Sequence, residues 1–168
     1  GLGDWHPGGR SLTPVDVDGE LERANAGLSN IPATALASGG SATLNNLVAN
    51  LRDGYDILFL VSHGALVEGE PQLWLEDEEG GVDVVAGSDL VTRLKEMRRP
   101  PRLVVLASCQ SAGTGFEARS DDGGALAALG PRLAEAGIPA VLAMQGNVTM
   151  QTVAEFMPIF FEELRQDG

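Results

Sequence analysis

His63 and Cys109 are the two side chains whose type and setting suit covalent chemistry. A thiolate attacks a carbonyl carbon, and an imidazole within hydrogen-bond reach takes the thiol proton and later returns it to a leaving amine. Cys109 is the only cysteine among 168 residues, so no internal disulfide claims it. Each residue follows an apolar run: ILFLV at 57–61 leads into Ser62, His63 and Gly64, and LVVLA at 103–107 leads into Ser108 and Cys109. Ser62, Gly64, Ala107, Ser108, Ser111 and Gly113 are small enough to leave room for a substrate backbone. The backbone amides of Gly64 and Cys109 are candidates to bind an oxyanion.

Taken singly, neither residue compels this reading. A free cysteine is among the most buried residue types, and a histidine at a strand end commonly closes a turn. The pair, at equivalent ends of two apolar runs, is what raises a nucleophile and base above packing and capping. No third member of a triad is evident. The phosphate-cradling patterns G-x-G-x-x-G and G-x-x-x-x-G-K-[ST] are absent, as is G-x-S-x-G, and two histidines with one cysteine do not make a zinc site. No metal or cofactor is implied. His6, in an aperiodic lead-in, reads as a bystander.

The elements that must position the pair alternate between strand and helix. Val17, Leu21, Ala24 and Leu28 have helical spacing, and IPATAL at 31–36 reads as a short strand. Ser41 is the expected N-cap of a helix bearing Leu44, Leu47, Val48 and Leu51, which Gly54 closes in the left-handed conformation. After the 56–61 strand, QLWLED and VDVV around EEGG predict a small antiparallel hairpin, inserted between parallel units. Ser88 and Asp89 open a helix with Leu90, Val91, Leu94 and Met97 on its buried stripe, ended by RRPP. The strand at 102–107 follows. A glycine-rich loop at 111–124, of a length that is usually either functional or mobile, precedes a helix at 124–136 interrupted by Gly130 and Pro131. AVLAM at 140–144 is the last predicted strand. A final helix carries Val153, Phe156, Met157, Phe160 and Leu164, with Pro158 expected to kink or split it.

Three strands are nearly continuous apolar runs, the mark of burial on both faces of a parallel sheet. The expected fold is therefore a three-layer α/β sandwich with a mostly parallel sheet. Ligand sites in such sheets lie beyond the carboxyl ends of the strands, where His63 and Cys109 fall.

Composition narrows the function classes. An apolar share of 43% with 21% charged is that of a globular domain. A net charge of −13 disfavours a nucleic-acid partner, which needs clustered Lys and Arg. No window reaches the roughly 18 uninterrupted apolar residues of a membrane span, and no leader pattern is evident. The expectation is a cytoplasmic domain without a membrane partner.

GYDILFLVSHG, RLVVLASCQSAG and the stretch from GALAALGPRLAEAGIPAVLAMQGNVTM to FFEEL resemble the CHAT domain, a caspase-like module related to separase and often found with TPR repeats. The likeness covers roughly residues 12–166 and leaves 1–11 as lead-in to a CHAT-like domain at 12–168. It implies a caspase-hemoglobinase fold and a cysteine endopeptidase acting on polypeptides, with His63 as general base and Cys109 as nucleophile. Gly64 and Cys109 would supply the oxyanion amides, and regulatory domains or chains such as TPR repeats are implied partners. Two departures stand out. Nothing before Leu12 supplies the family's first apolar strand, which suggests a piece of a longer protein. Met150 falls where separase-like relatives carry an acidic residue for a basic substrate side chain, although Asp121 and Asp122 remain able to supply that charge. The alternative is a catalytically silent interaction module of the same fold; a small-molecule thiol hydrolase is disfavoured because no enclosing lid is evident.

Overall fold

The computed structural model describes residues 31–108, 124–144 and 150–167, together with Gly19, Glu22 and Leu28. Gly19, Glu22 and Leu28 are helical, while the rest of the helix expected from Asp16 lies outside the described residues. In chain order the elements are α1 (Leu44–Arg52), β1 (Ile57–Val67), β2 (Glu70–Glu76), β3 (Val82–Ala86), α2 (Gly87–Lys95), β4 (Leu103–Ser108), α3 (Ala125–Glu135), β5 (Ala140–Ala143) and α4 (Met150–Asp167).

These strands form one five-stranded sheet in the order β3-β2-β1-β4-β5. Instead of being mostly parallel it is mixed: β1–β4 and β4–β5 pair parallel, β1–β2 and β2–β3 antiparallel. β1 is responsible for the change. It continues past the residue where the apolar run stops, through His63 and Gly64 to Val67, and its last five residues pair with β2. The expected hairpin exists, with its turn near EEGG, but it is hydrogen-bonded to β1 and so extends the main sheet.

Helices cover both faces. On one, Leu58 and Leu60 of β1, Leu73 and Leu75 of β2, and Val104 and Leu106 of β4 pack beneath α1, α2 and α3, which contribute Val48, Leu51, Leu90, Leu94, Leu126, Leu129 and Leu133. On the other, Leu103 and Val105 meet Met157 and Phe161 of α4, with Ile57 and Phe59 alongside. Phe59 and Phe161 meet edge to face at 6.5 Å between centroids. β4 is thereby buried on both faces from Leu103 to Ala107, which is why its sequence is uninterrupted hydrocarbon. Each Leu or Val so placed contributes on the order of 1.5–3 kcal/mol.

Several local expectations are corrected. Thr43, not Ser41, caps α1: its hydroxyl accepts from the Asn46 N–H at 3.0 Å. Ser41 instead accepts from the N–H groups of Ala37 and Ser38 and donates to the Ser38 carbonyl. Gly54 does take a positive φ, 105°, just after that helix. Residues 32–37 are irregular and not a strand. α3 runs unbroken through Gly130 and Pro131, and α4 is one helix through Pro158. On α4 the buried residues are Met157 and Phe161, while Phe156 is 44% and Leu164 37% exposed.

Candidate active site

β1 changes partner within one residue. Ser62 is the last of six residues in parallel register with β4, opposite Ser108, and His63 is the first in antiparallel register with β2, opposite Trp74. His63 therefore stands at the carboxyl end of the parallel part of the sheet, as expected, but inside a continuing strand and not at its end. Strand alternation separates the neighbours. Ser62 and Gly64 share the face of Leu58 and Leu60, under α3; His63 shares the face of Ile57 and Phe59.

Two polar atoms are buried here without a hydrogen-bond partner among the described residues: His63 Nε2 and Ser62 Oγ. Such groups are uncommon in folded proteins because burial strips their hydration without replacing it. Burial also disfavours the imidazolium and holds the His63 pKa below its ordinary 6.5. The ring is consequently neutral at physiological pH, with a free nitrogen able to accept a proton.

Gly64 is buried and crowded. A Cβ there would lie 2.9 Å from the Gln72 carbonyl oxygen and 3.2 Å from Ala125 Cβ, so only glycine fits between β2 and the first turn of α3. Gly124 precedes that turn with φ 79° and makes no side-chain cap. The amino end of α3, with its partial positive charge, thus sits against the strand that carries His63.

α3 is held there by a polar clamp. Arg132 donates to a Glu70 carboxylate oxygen and, at 2.7 Å, to the Gly69 carbonyl, while the other Glu70 oxygen accepts from the Ser88 N–H at 2.8 Å. The β1–β2 turn is thereby tied to α3 and to the start of α2. The Arg132 hydrogen bond, and then that from Ser88, hold the Glu70 carboxyl below its usual range.

Of the other expected site residues, Cys109, Asp121 and Asp122 lie outside the described residues. Met150 is the first residue of α4. Sequence reading did not bring Trp74 to His63, because only the pairing register does so. The alternation in QLWLED, with Leu73 and Leu75 buried, was the available signal that Trp74 faces the other way.

Among the described residues no group of three His, Cys, Asp or Glu side chains could hold a metal ion, and no helix is long and apolar enough to cross a membrane. No curated protein matches the chain. A family model of the CHAT domain matches residues 10–168, and with nearly the whole sequence inside that match the chain belongs to the CHAT domain family.

Proposed function

We propose that this domain is a cysteine endopeptidase in which His63 is the general base and Cys109 the nucleophile. The observation that carries the reading is the register of Ser62 with Ser108, because His63 and Cys109 are the next residues in the two chains. Consecutive Cα atoms are about 3.8 Å apart and adjacent strands about 4.8 Å. Connectivity alone then keeps the two Cα atoms within about 12 Å. Alternation adds a direction among the described residues: 57 and 59 share a face with 103 and 105, and His63 continues the period of 57 and 59. A neutral imidazole whose Nε2 has no hydrogen-bond partner among the described residues is what such a site requires before the thiol proton arrives.

In this mechanism His63 accepts the Cys109 proton and the thiolate forms a C–S bond to the scissile carbonyl carbon. The Gly64 and Cys109 amides receive the oxyanion. Collapse breaks the C–N bond, and the amine departs with the proton from His63. Water, deprotonated by the same imidazole, then hydrolyses the thioester, releasing the acid and restoring the thiol. The substrate is a polypeptide. With Met150 at the position described above, the enzyme does not select Arg or Lys through that side chain; Asp121 and Asp122 are the alternative contacts. A reducing, cytoplasmic setting suits a lone thiol, and TPR-type repeats are the proposed regulatory partners.

Alkylation by iodoacetamide tests the dyad. Cys109 should react faster than a free thiol at neutral pH and slow markedly in His63→Ala, and Cys109→Ala should abolish cleavage of a peptide library. Alkylation at the free-thiol rate, unaffected by His63→Ala, would leave a silent interaction module.

A further inference from the structure

Positive charge is concentrated in one short segment of an acidic chain. At the end of α2 and in the link to β4, Lys95, Arg98, Arg99 and Arg102 bring four of the eleven cationic side chains into residues 95–102, in a chain of net charge −13. All four are exposed, and none is paired with a carboxylate among the described residues. Glu96 and Asp56 are the acidic residues beside them, so the excess is positive. The helix dipole accounts for Lys95, which stands in the last turn of α2. Arg98, Arg99 and Arg102 lie past that turn, where the dipole no longer selects a cation.

The segment is anchored well enough to present those charges as a surface. Met97 and Pro101 are buried, and the N–H groups of Arg102 and Leu103 both donate to the Asp56 carbonyl, at 2.7 and 3.1 Å. Its acidic counterpart in the chain is the turn between β2 and β3. Asp77 shapes that turn: its carboxylate accepts from the N–H groups of Glu79 at 3.0 Å and Gly81 at 2.6 Å. Glu78 and Glu79 are left exposed, with no cationic partner among the described residues.

Both features lie toward the same pole. Leu103 and Ile57, the first residues of β4 and β1, pair with each other, so the basic segment adjoins the amino end of the parallel strands. β2 runs antiparallel to β1, which directs the turn at 77–81 toward that same end. His63 is at the other. Two copies facing each other across a two-fold axis at this pole set the basic segment of each against the acidic turn of its partner, so every contact is made twice and the pair closes. The His63 ends then point outward in both. A nucleic acid or an anionic bilayer suits the patch less, because it extends past the segment and meets the acidic remainder of the surface, which repels it.

We infer that a second copy of this chain docks here, with Lys95, Arg98, Arg99 and Arg102 of each copy against Glu78 and Glu79 of the other, in a two-fold dimer that does not depend on the peptidase reading. Sedimentation equilibrium of the whole chain tests it. The mass should approach two chains as concentration rises, and association should weaken by at least about tenfold between about 0.1 and 1 M salt, where the screening length falls from about 10 to 3 Å. Arg98→Glu with Arg99→Glu, and separately Glu78→Lys with Glu79→Lys, change exposed residues only and should each give a monomer, because like charges then face each other. Mixed in equal amounts, the two variants should associate again, since each offers the other the charge that its own copy lacks. Circular dichroism establishes that both are folded; should either fail to fold, the salt dependence of the parent decides. A parent that stays monomeric at every concentration, association that both reversals leave intact, growth past two chains, or folded variants that stay apart when mixed would overturn the dimer. Binding of duplex DNA or of phosphatidylserine vesicles by a monomeric parent, lost in the arginine variant, would overturn it too and assign the patch to a polyanion.

Discussion

Gly64 of β1 and Ala125 of α3 approach so closely that a methyl group added to the glycine would sit 3.2 Å from the alanine Cβ. The harder contact is the Gln72 carbonyl oxygen at 2.9 Å, because it belongs to the β1–β2 pairing and cannot move without disturbing it. Gly64→Ala is therefore expected to destabilise the fold by about 1–3 kcal/mol, as overpacking does elsewhere. Urea unfolding measures this. Stability equal to the parent would mean that α3 does not press on β1 in solution.

Arg132 and Glu70 should show their coupling through pH. The pair is partly exposed, so replacing Arg132 by Met is expected to cost up to about 1 kcal/mol at neutral pH. The Glu70 carboxyl is held below its ordinary value, so its contribution is fully present above about 4.5 and is lost as pH falls through the lowered pKa. The stability gap between the parent and Arg132→Met should consequently narrow on acidification. A gap constant down to pH 3 would assign the effect to packing of the arginine stem instead.

The parts of this fold that could be read from sequence are those set by local periodicity. The continuous apolar run of β4 announced burial on both faces, and Leu90, Val91 and Leu94 announced the inward face of α2. What escaped was settled by distant partners. The apolar run stops at Val61, yet β1 continues through Gly64 to pair with β2, and the missing side chain lets Ala125 approach. IPATAL has strand-like composition but no pairing partner among the described residues, and stays irregular. Gly130 and Pro131 look like a break in α3, but Gly130 is buried and Pro131 exposed, and packing of Leu126, Leu129 and Leu133 holds the helix together. For the candidate site, the place of His63 at the carboxyl end of the parallel register could be read from the apolar run before it, whereas its pairing with Trp74 depended on register.

Ser62 gives a prediction of unusual sign for a buried polar residue. It is 5% exposed and its hydroxyl has no partner among the described residues, so folding forfeits hydration there without a described hydrogen bond in return. Removing such an oxygen relieves a desolvation cost of about 1–3 kcal/mol, set against a small void. Ser62→Ala should be neutral or more stable than the parent in thermal unfolding. A loss above about 1 kcal/mol would show that the hydroxyl is hydrogen-bonded in solution.

His63 should make the domain acid-sensitive in a window that its burial defines. In the unfolded chain the imidazole titrates near 6.5, and in the folded chain below that, because the charged form is poorly hydrated. Between the two values the unfolded state binds more protons, so stability rises with pH there. It is complete above about pH 6.5 and declines as pH falls, until the folded pKa is passed. His63→Gln keeps a polar side chain of similar reach and removes the titration, while His6 remains in both proteins. Unfolding free energies measured between about pH 5 and 7 should then slope more steeply with pH in the parent than in the variant. Parallel slopes would mean that the imidazole is as well hydrated folded as unfolded, which would remove the case for a desolvated base at this point of the sheet.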